Sequence, residues 1–280
     1  MIARMAPIVT DLALSRRLER AEARANVAFV EARARCTPEV GATWREIGGA
    51  FAMFDGVGSP CTQTFALGID GPPGDGALAE LEAFFAERGA EVLHEVSPLA
   101  GVEVHAALAE RGYRPVELTS VMCQPLSADS TASTDGTLHV RTTGPGEARL
   151  WAATAAAGWV TEGAHLGAFM EAFGEVSASS EGTVGFLAEH DGVPVAAAAL
   201  AIHGGVALLA GASTRPEWRG RGAQGALLRA RLRHAAVAGC DLAMVCAAPG
   251  GASQRNAERA GFRIAYTRIK WGRAATGDGR

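Results

Sequence analysis

The chain has 280 residues, 48% of them apolar, 20% charged and 6% aromatic, with 30 acidic side chains against 26 basic ones. That balance excludes a wholly disordered chain and suits one large domain or two smaller ones, at roughly 100–200 residues each. A net charge of −4 gives no global attraction for nucleic acid.

No apolar run approaches the roughly 20 residues that a bilayer crossing needs, and Val193 to Ile202 is the longest clear one. Arg4 and Asp11 interrupt a short apolar stretch at the N-terminus, which lacks the continuous core of a secretory signal. The expectation is a cytoplasmic protein with neither a membrane nor a nucleic acid as partner. Cys36, Cys61, Cys123, Cys240 and Cys246 are odd in number, scattered, and without C-x-x-C spacing or nearby paired His. They read as reduced, mostly buried thiols, and no metal site is expected. Of the 26 bases only Lys270 is a lysine, which reads as coding bias more than function.

In chain order, the first half offers an apolar strand over Val92 to Val96, then Pro98, then a helical stretch ending Ala109-Glu110-Arg111-Gly112-Tyr113-Arg114. Small polar residues with Pro and Gly run from Pro125 to Thr137, which is linker chemistry. Beyond it, Leu138 to Arg141 reads as a short strand, and Glu147 to Trp159 and Leu166 to Phe173 have helical periodicity. Thr183 to Glu189, Val193 to Ile202 and Val206 to Ser213 read as an antiparallel meander, because Asp191-Gly192 and Gly204-Gly205 between apolar runs are hairpin turns. An amphipathic helix from about Gly225 to Ala238 follows, with Leu227, Leu228, Leu232, Ala235 and Ala236 toward a core and Arg229, Arg231 and Arg233 elsewhere on its surface. The strand Leu242 to Cys246, then Pro249, then a helix ending Ala257-Glu258-Arg259-Ala260-Gly261-Phe262-Arg263 repeat the pattern of the first half. In both halves a Gly stands where a left-handed helix cap is wanted and an aromatic follows it. A duplicated unit is the simplest explanation. Arg263 to Trp271 closes as one or two strands, and the residues from Gly272 on lack apolar anchors.

The segment Thr214-Arg-Pro-Glu-Trp-Arg219-Gly220-Arg221-Gly222-Ala223-Gln224-Gly225-Ala226 carries the chemistry. Gly220, Gly222 and Gly225 remove side chains where a backbone must approach a ligand, and the helix start behind them presents unpaired N–H groups with partial positive charge. Arg215, Arg219 and Arg221 add fixed charge against the single acid Glu217. This is a phosphate or pyrophosphate loop. A Rossmann fingerprint would need the loop tight against its strand and an acid after the next strand, and a P-loop would end in Gly-Lys-Ser/Thr; neither is present.

Arg219-x-x-Gly222 between a strand and an amphipathic helix resembles the acetyl-CoA loop of the GNAT superfamily of N-acetyltransferases, written Q/R-x-x-G-x-G/A. Ser253-Gln-Arg-Asn256-Ala-Glu-Arg-Ala-Gly261-Phe262 is similar to the late helix of that family and its closing Gly-Phe, and the likeness covers most of Leu138 to Trp271. Gln224 stands where the family has Gly or Ala. The resemblance implies that Ala212, Ser213 and Thr214 splay from the neighbouring strand and offer backbone groups to the pantetheine arm. It implies that the amides of Arg221, Gly222, Ala223, Gln224, Gly225 and Ala226 hold the pyrophosphate, with Ser253 and Asn256 near the thiol. Acetyl-CoA is then the co-substrate, without a metal, and the implied reaction moves its acetyl group to a primary amine on a small molecule or a peptide, a protein N-terminus or a lysine. The catalytic acid and base stay open. Ala257 occupies the position of the family's usual Tyr, and Val206 to Ser213 contains no acid. Ser253, Tyr266 and Cys246 or a water chain are the weak candidates. The alternative is an inactive CoA-binding sensor or scaffold.

In the first half the corresponding loop reads Asp70-Gly-Pro72-Pro73-Gly-Asp75-Gly. Two prolines remove amide donors and two aspartates repel a pyrophosphate. His94 and His105 read as packing or surface residues. The expected fold class is therefore α/β (α+β) in two GNAT-like domains, each a mixed, mostly antiparallel sheet flanked by helices. A degenerate domain at 1–124, a linker at 125–137, the acetyl-CoA domain at 138–272 and a tail at 273–280 complete the expectation, as monomer or homodimer.

Overall fold

The computed structural model describes residues 8–126, 138–159 and 164–273, so most of the expected linker and tail lies outside it. The first half opens with α1 (Leu12–Cys36), whose N-terminus is capped by the Asp11 carboxylate accepting from Leu14 N at 2.8 Å. Then come β1 (Thr43–Ile47), β2 (Ala50–Phe54), β3 (Gln63–Phe65), α2 (Asp75–Ala86), β4 (Val92–Val96), α3 (Val102–Glu110) and β5 (Arg114–Pro125). The second half runs β6 (His139–Thr142), α4 (Ala148–Ala157), α5 (Ala164–Ala178), the meander β7 (Thr183–His190), β8 (Val193–His203) and β9 (Val206–Thr214), then α6 (Ala223–Val237), β10 (Leu242–Ala247), α7 (Ala252–Arg259) and β11 (Arg263–Arg273). Gly112 and Gly261 both take positive φ after their helices, as the repeated cap signal requires.

The strands form one sheet in the order β1-β2-β3-β4-β11-β5-β10-β9-β8-β7-β6. The two expected sheets are thus continuous, because each half lends its last strand to the other. β5 pairs with β10, β11 pairs with β4, and β5 and β11 pair with each other, all antiparallel. Outside this centre, β3–β4 and β9–β10 are parallel while β1–β2, β2–β3, β7–β8 and β8–β9 are antiparallel. The pattern is the same on both sides of the β11–β5 pair, apart from β6, which the second half adds at its edge antiparallel to β7. Aligning Arg114 with Arg263 makes Thr119 the counterpart of Arg268, and the register places these two opposite each other. A pseudo-dyad therefore runs through that pair.

Alternation along the strands assigns the two faces. On one, Leu18 and Ala21 of α1 pack against Val121, Leu242, Met244 and Tyr266, while Val27 and Val30 of the same helix pack against Phe51, Met53 and Phe65. One 25-residue helix so spans both halves. α4 covers the same face of the meander through Trp151, which meets Leu187, Ala197 and Ala199. The opposite face carries α6 and α7 in the second half, with Leu227, Ala257 and Phe262 on Met122, Ala198 and Ala243. On α6 the sequence expectation needs one correction: Arg231 is not on the surface but 4% exposed, because its position follows Leu227 by one turn on the buried stripe.

The central strands bury charge. Arg268 is 2% exposed, and it donates to Glu95 at 2.9 Å and Glu22 at 2.6 Å and reaches Glu19 at 3.4 Å. Burial works against its charge, but the three carboxylates outweigh that and hold its pKa above the ordinary arginine value. Glu19, fully buried on the sheet-facing side of α1, is pushed up to about 7 by burial, which Arg268 and the Tyr266 hydroxyl only partly offset.

Arg268→Met should therefore destabilise the fold by about 3–5 kcal/mol in urea unfolding, since three buried carboxyl groups lose their cation. Arg17→Ala, which breaks an exposed pair with Asp241, should cost at most about 1 kcal/mol. Equal costs would contradict the burial argument. Because the folded Glu19 carboxyl titrates above its unfolded value of roughly 4.3, the folded state holds an extra proton between the two values. Its contribution to stability is then lost as pH rises from about 4.5 to 7. Glu19→Gln should flatten the decline of stability over that range, and an unchanged slope would refute the assignment.

Candidate functional site

β9 and β10 are parallel, and they pair only through Leu242–Val206, Ala243–Ala207 and Met244–Leu208. Beyond Leu208 the two strands separate, which is the splay expected for Ala212 to Thr214. Against β8, the register jumps from Ala197–Ser213 to Ala199–Ala210, so Gly211 and Ala212 face the single residue Ala198. Gly211 supplies the φ of +58° that this bulge needs. Ala210, Gly211 and Ala212 are exposed inside an otherwise buried strand.

Carbonyls freed by the bulge find side-chain donors. Trp151 Nε1 donates to Ala198 O at 3.0 Å, and the buried Arg231 Nη1 donates to Ala199 O at 3.0 Å and Ala210 O at 3.3 Å. Burial lowers the Arg231 pKa to about 10, which still leaves it charged at neutral pH. Both faces of the sheet thus contribute a donor that holds the opening in place, and neither was singled out in the sequence.

The loop after β9 is anchored at both ends. Arg215 N donates to Val195 O, Gln224 Nε2 donates to Thr214 Oγ1 at 2.8 Å, and Arg219 Nη2 donates to Gly158 O at 2.6 Å. Gly158 lies so close to β9 that a Cβ there would sit 2.6 Å from the Ser213 Cβ. Ser213 Oγ in turn donates to Ala155 O at 2.6 Å. The Trp218 ring packs on His190 with centroids 4.6 Å apart, and the Arg221 guanidinium stands 4.8 Å above the indole. Gly220 and Gly222 take positive φ, and a Cβ on either would meet nothing within 4 Å. The first backbone bond of α6 is Ala226 N to Gly222 O, so the amides of Ala223, Gln224 and Gly225 precede the ladder and have no intrahelical acceptor. Arg215 and Arg221 enter no ion pair among the described residues. The loop has the features an anion requires: open space, unpaired amides at a helix start and two cations.

Because β9 and β10 run in parallel, the N-terminus of α7 lies at the same end of the sheet as that of α6. Ser253 and Asn256 are exposed there, Asn256 accepting from Arg259 at 2.8 Å. Gln254, not either of them, ties α7 to the sheet, accepting from Ser120 Oγ at 3.0 Å. Tyr266 is elsewhere, beneath α1, with its hydroxyl donating to Glu19 at 2.8 Å and its pKa raised by burial. Cys246 points to the same side, and burial followed by the Glu22 charge keeps its thiol protonated.

A cavity of about 370 Å³ opens between the halves on the α1 face, beside the end of β10. Its wall includes Cys246, Ala247 and Ala248, in the stretch beyond the last pairing with β9, together with Arg268 of β11 and residues of the first half. The sequence carried a signal for it: Glu19 and Glu22 stand on the apolar stripe of α1, where a carboxyl group needs a reason.

The equivalent loop of the first half is exposed, and Gly71, Gly74 and Gly76 have open space around them, but its start is tied down by ion pairs. Asp70 pairs with Arg16 at 3.1 Å and with Arg20, Arg16 Nε also donates to Ile69 O, and a Cβ on Gly68 would strike Val104 at 2.5 Å. His94 is buried against Tyr113, and His105 accepts from Trp271 Nε1, so both pack rather than ligate. No group of His, Cys, Asp and Glu among the described residues could hold a metal, and no helix there is long and apolar enough to cross a membrane.

Residues 151–262 match the Acetyltransferase (GNAT) family. Among solved structures, the fold is similar to a GCN5-related N-acetyltransferase from Kribbella flavida, with 21% identity and a TM-score of 0.62 over 90% of this chain and 95% of that one. It is also similar to a GCN5-related N-acetyltransferase from Sphaerobacter thermophilus, with 17% identity and a TM-score of 0.54 over 90% and 91%. A tandem GNAT protein from the clavulanic acid biosynthesis pathway matches with 17% identity and a TM-score of 0.54 over 83% and 80%. No curated protein matches the sequence significantly. Residues 151–262 thus carry the match to the GNAT acetyltransferase family, within a chain whose fold is shared over nearly its whole length by GCN5-related N-acetyltransferases.

Proposed function

We propose that the second half, residues 138–272, binds acetyl-CoA in the opening between β9 and β10 and transfers the acetyl group to a primary amine. The observation that carries this reading is the coincidence of an exposed, bulged strand with a glycine- and arginine-rich helix start at one end of the sheet. When bound, acetyl-CoA supplies an activated thioester; the amine nitrogen forms the new C–N bond, the C–S bond breaks, and the amine's proton passes to the sulfur. The amides at the start of α6, with Arg221 and Arg215 beside them, would hold the diphosphate. The backbone of Ala210 to Ala212 would lie along the pantetheine arm and offer an N–H to the carbonyl oxygen as charge develops on it. Arg219 contributes through its bond to Gly158, which draws the end of α4 onto the loop. Positioning supplies much of the rate, since an amine that arrives neutral asks little of a general base.

Residues 1–124 would serve as a partner domain that leaves CoA alone and shapes the acceptor side. A second reading, a CoA sensor without turnover, draws on Ala257 in place of Tyr and on the engagement of the Tyr266 hydroxyl with Glu19. Thiol release from acetyl-CoA across a panel of amines separates the two: CoA binding with no release on any amine selects the sensor.

Arg221→Glu should weaken CoA binding at least tenfold in titration calorimetry with an unchanged melting temperature, because the side chain is exposed and bonded to no backbone group. Asp75→Ala, in the proline-bearing loop of the first half, should leave CoA affinity as it was. An unaltered affinity in Arg221→Glu would remove the loop from the site.

A further inference from the structure

In the wall of the cavity at the pseudo-dyad lies a buried polar atom with no partner among the described residues. Gln63 on β3 is 6% exposed and lines the cavity, and its Oε1 is buried with no hydrogen-bond partner. A buried acceptor left unpaired costs about 1–3 kcal/mol, which an incoming donor would recover.

The charge around it has one sign in excess. Glu22, Glu95 and Glu117 line the same space, with Arg268 as the cation among them. Arg268 pairs with Glu95 through Nε and with Glu22 and Glu19 through Nη1, and Lys270 pairs with Glu117 at 2.5 Å and Glu95 at 3.3 Å. Four carboxyl groups against two cations leave a negative surplus. Glu22 uses Oε2 for both Arg268 and Cys246, and Oε1 enters no hydrogen bond or ion pair among the described residues. Phe65 and Phe173 add apolar wall for an aliphatic body. The cavity also touches the part of β10 that has parted from β9, so a molecule seated there adjoins the opening assigned to acetyl-CoA.

We propose that this cavity takes an ammonium group of the amine acceptor, recognised by Gln63 Oε1 and Glu22, so that the acceptor is an organic cation bearing a second amine. The proposal rests on the acetyl-transfer reading for the word acceptor, while the binding of a cation stands on the cavity alone. An N–H donor satisfies the orphaned oxygen, and the carboxylate surplus compensates the charge. The first half then contributes specificity through β3 and α1 although Pro72 and Pro73 deprive its own loop of amide donors.

The test titrates the full chain with 1,4-diaminobutane and, as its dianionic counterpart of equal length, butanedioate, by calorimetry. The diamine should bind and the dianion should not. Gln63→Leu should weaken the diamine at least tenfold with an unchanged melting temperature. Gln63→Glu, which keeps the length and adds a carboxylate, should bind it at least as tightly as the parent, and this variant decides the matter if the leucine variant fails to fold. No diamine binding, equal binding of the dianion, undiminished affinity in Gln63→Leu or a loss in Gln63→Glu would each overturn the proposal. CoA titration of the same proteins is read separately. Gln63→Leu should bind CoA like the parent, and a parent chain that ignores CoA would refute the loop assignment while leaving the diamine result standing.

Discussion

Two parallel strands that stay together for three residue pairs and then separate are the constraint on which the site depends. A strand edge left open in a protein interior exposes peptide groups that must find partners or face water. Here β9 turns outward through the bulge at Gly211 and Ala212, and the freed carbonyls are met by Trp151 from one side and Arg231 from the other. With those acceptors satisfied, the bulge is held open without collapsing onto β10. The exposed segment Ala210 to Ala212 and the start of α6 lie at the same end of the sheet, the placement that a ligand with both a peptide-like arm and phosphates would require.

On its other edge β10 is paired with a strand of the opposite half, and this exchange makes the halves interdependent. Neither half holds its own closing strand, so the centre of the sheet, the pseudo-dyad and the buried Arg268 cluster exist only in the whole chain. α1 seals that centre, and its Glu19 and Glu22 bring carboxyl groups to strands contributed by both halves. A loop that has lost its amide donors to Pro72 and Pro73 can therefore belong to a domain that still matters. Its structural elements complete the cavity beside the opening between β9 and β10.

Most elements of the second half were legible because each had a local signal. Asp191-Gly192 and Gly204-Gly205 marked the meander, and the repeated Gly-aromatic step after Arg111 and after Ala260 marked the duplication. The loop around Gly222 had a local signal as well, three glycines and three arginines ahead of a helix, and the structure places it between β9 and α6. The strand exchange had no such mark: Arg114–Pro125 has the same alternation whether it pairs with β4 or with β10, and only long-range packing decides between them. Arg231 was misassigned because a buried guanidinium looks like a surface residue until its carbonyl partners are known. Gln63 was invisible for a related reason, as a single amide on a three-residue strand has no periodicity to stand against.

The most direct measurement is a crystal structure of the full chain grown with CoA. The account predicts diphosphate oxygens within hydrogen-bond distance of the amides of Ala223, Gln224 and Gly225, with the pantetheine arm running along Ala210 to Ala212. Diphosphate bound instead at the Gly71 to Gly74 loop of the first half, or an arm that does not enter between β9 and β10, would contradict it.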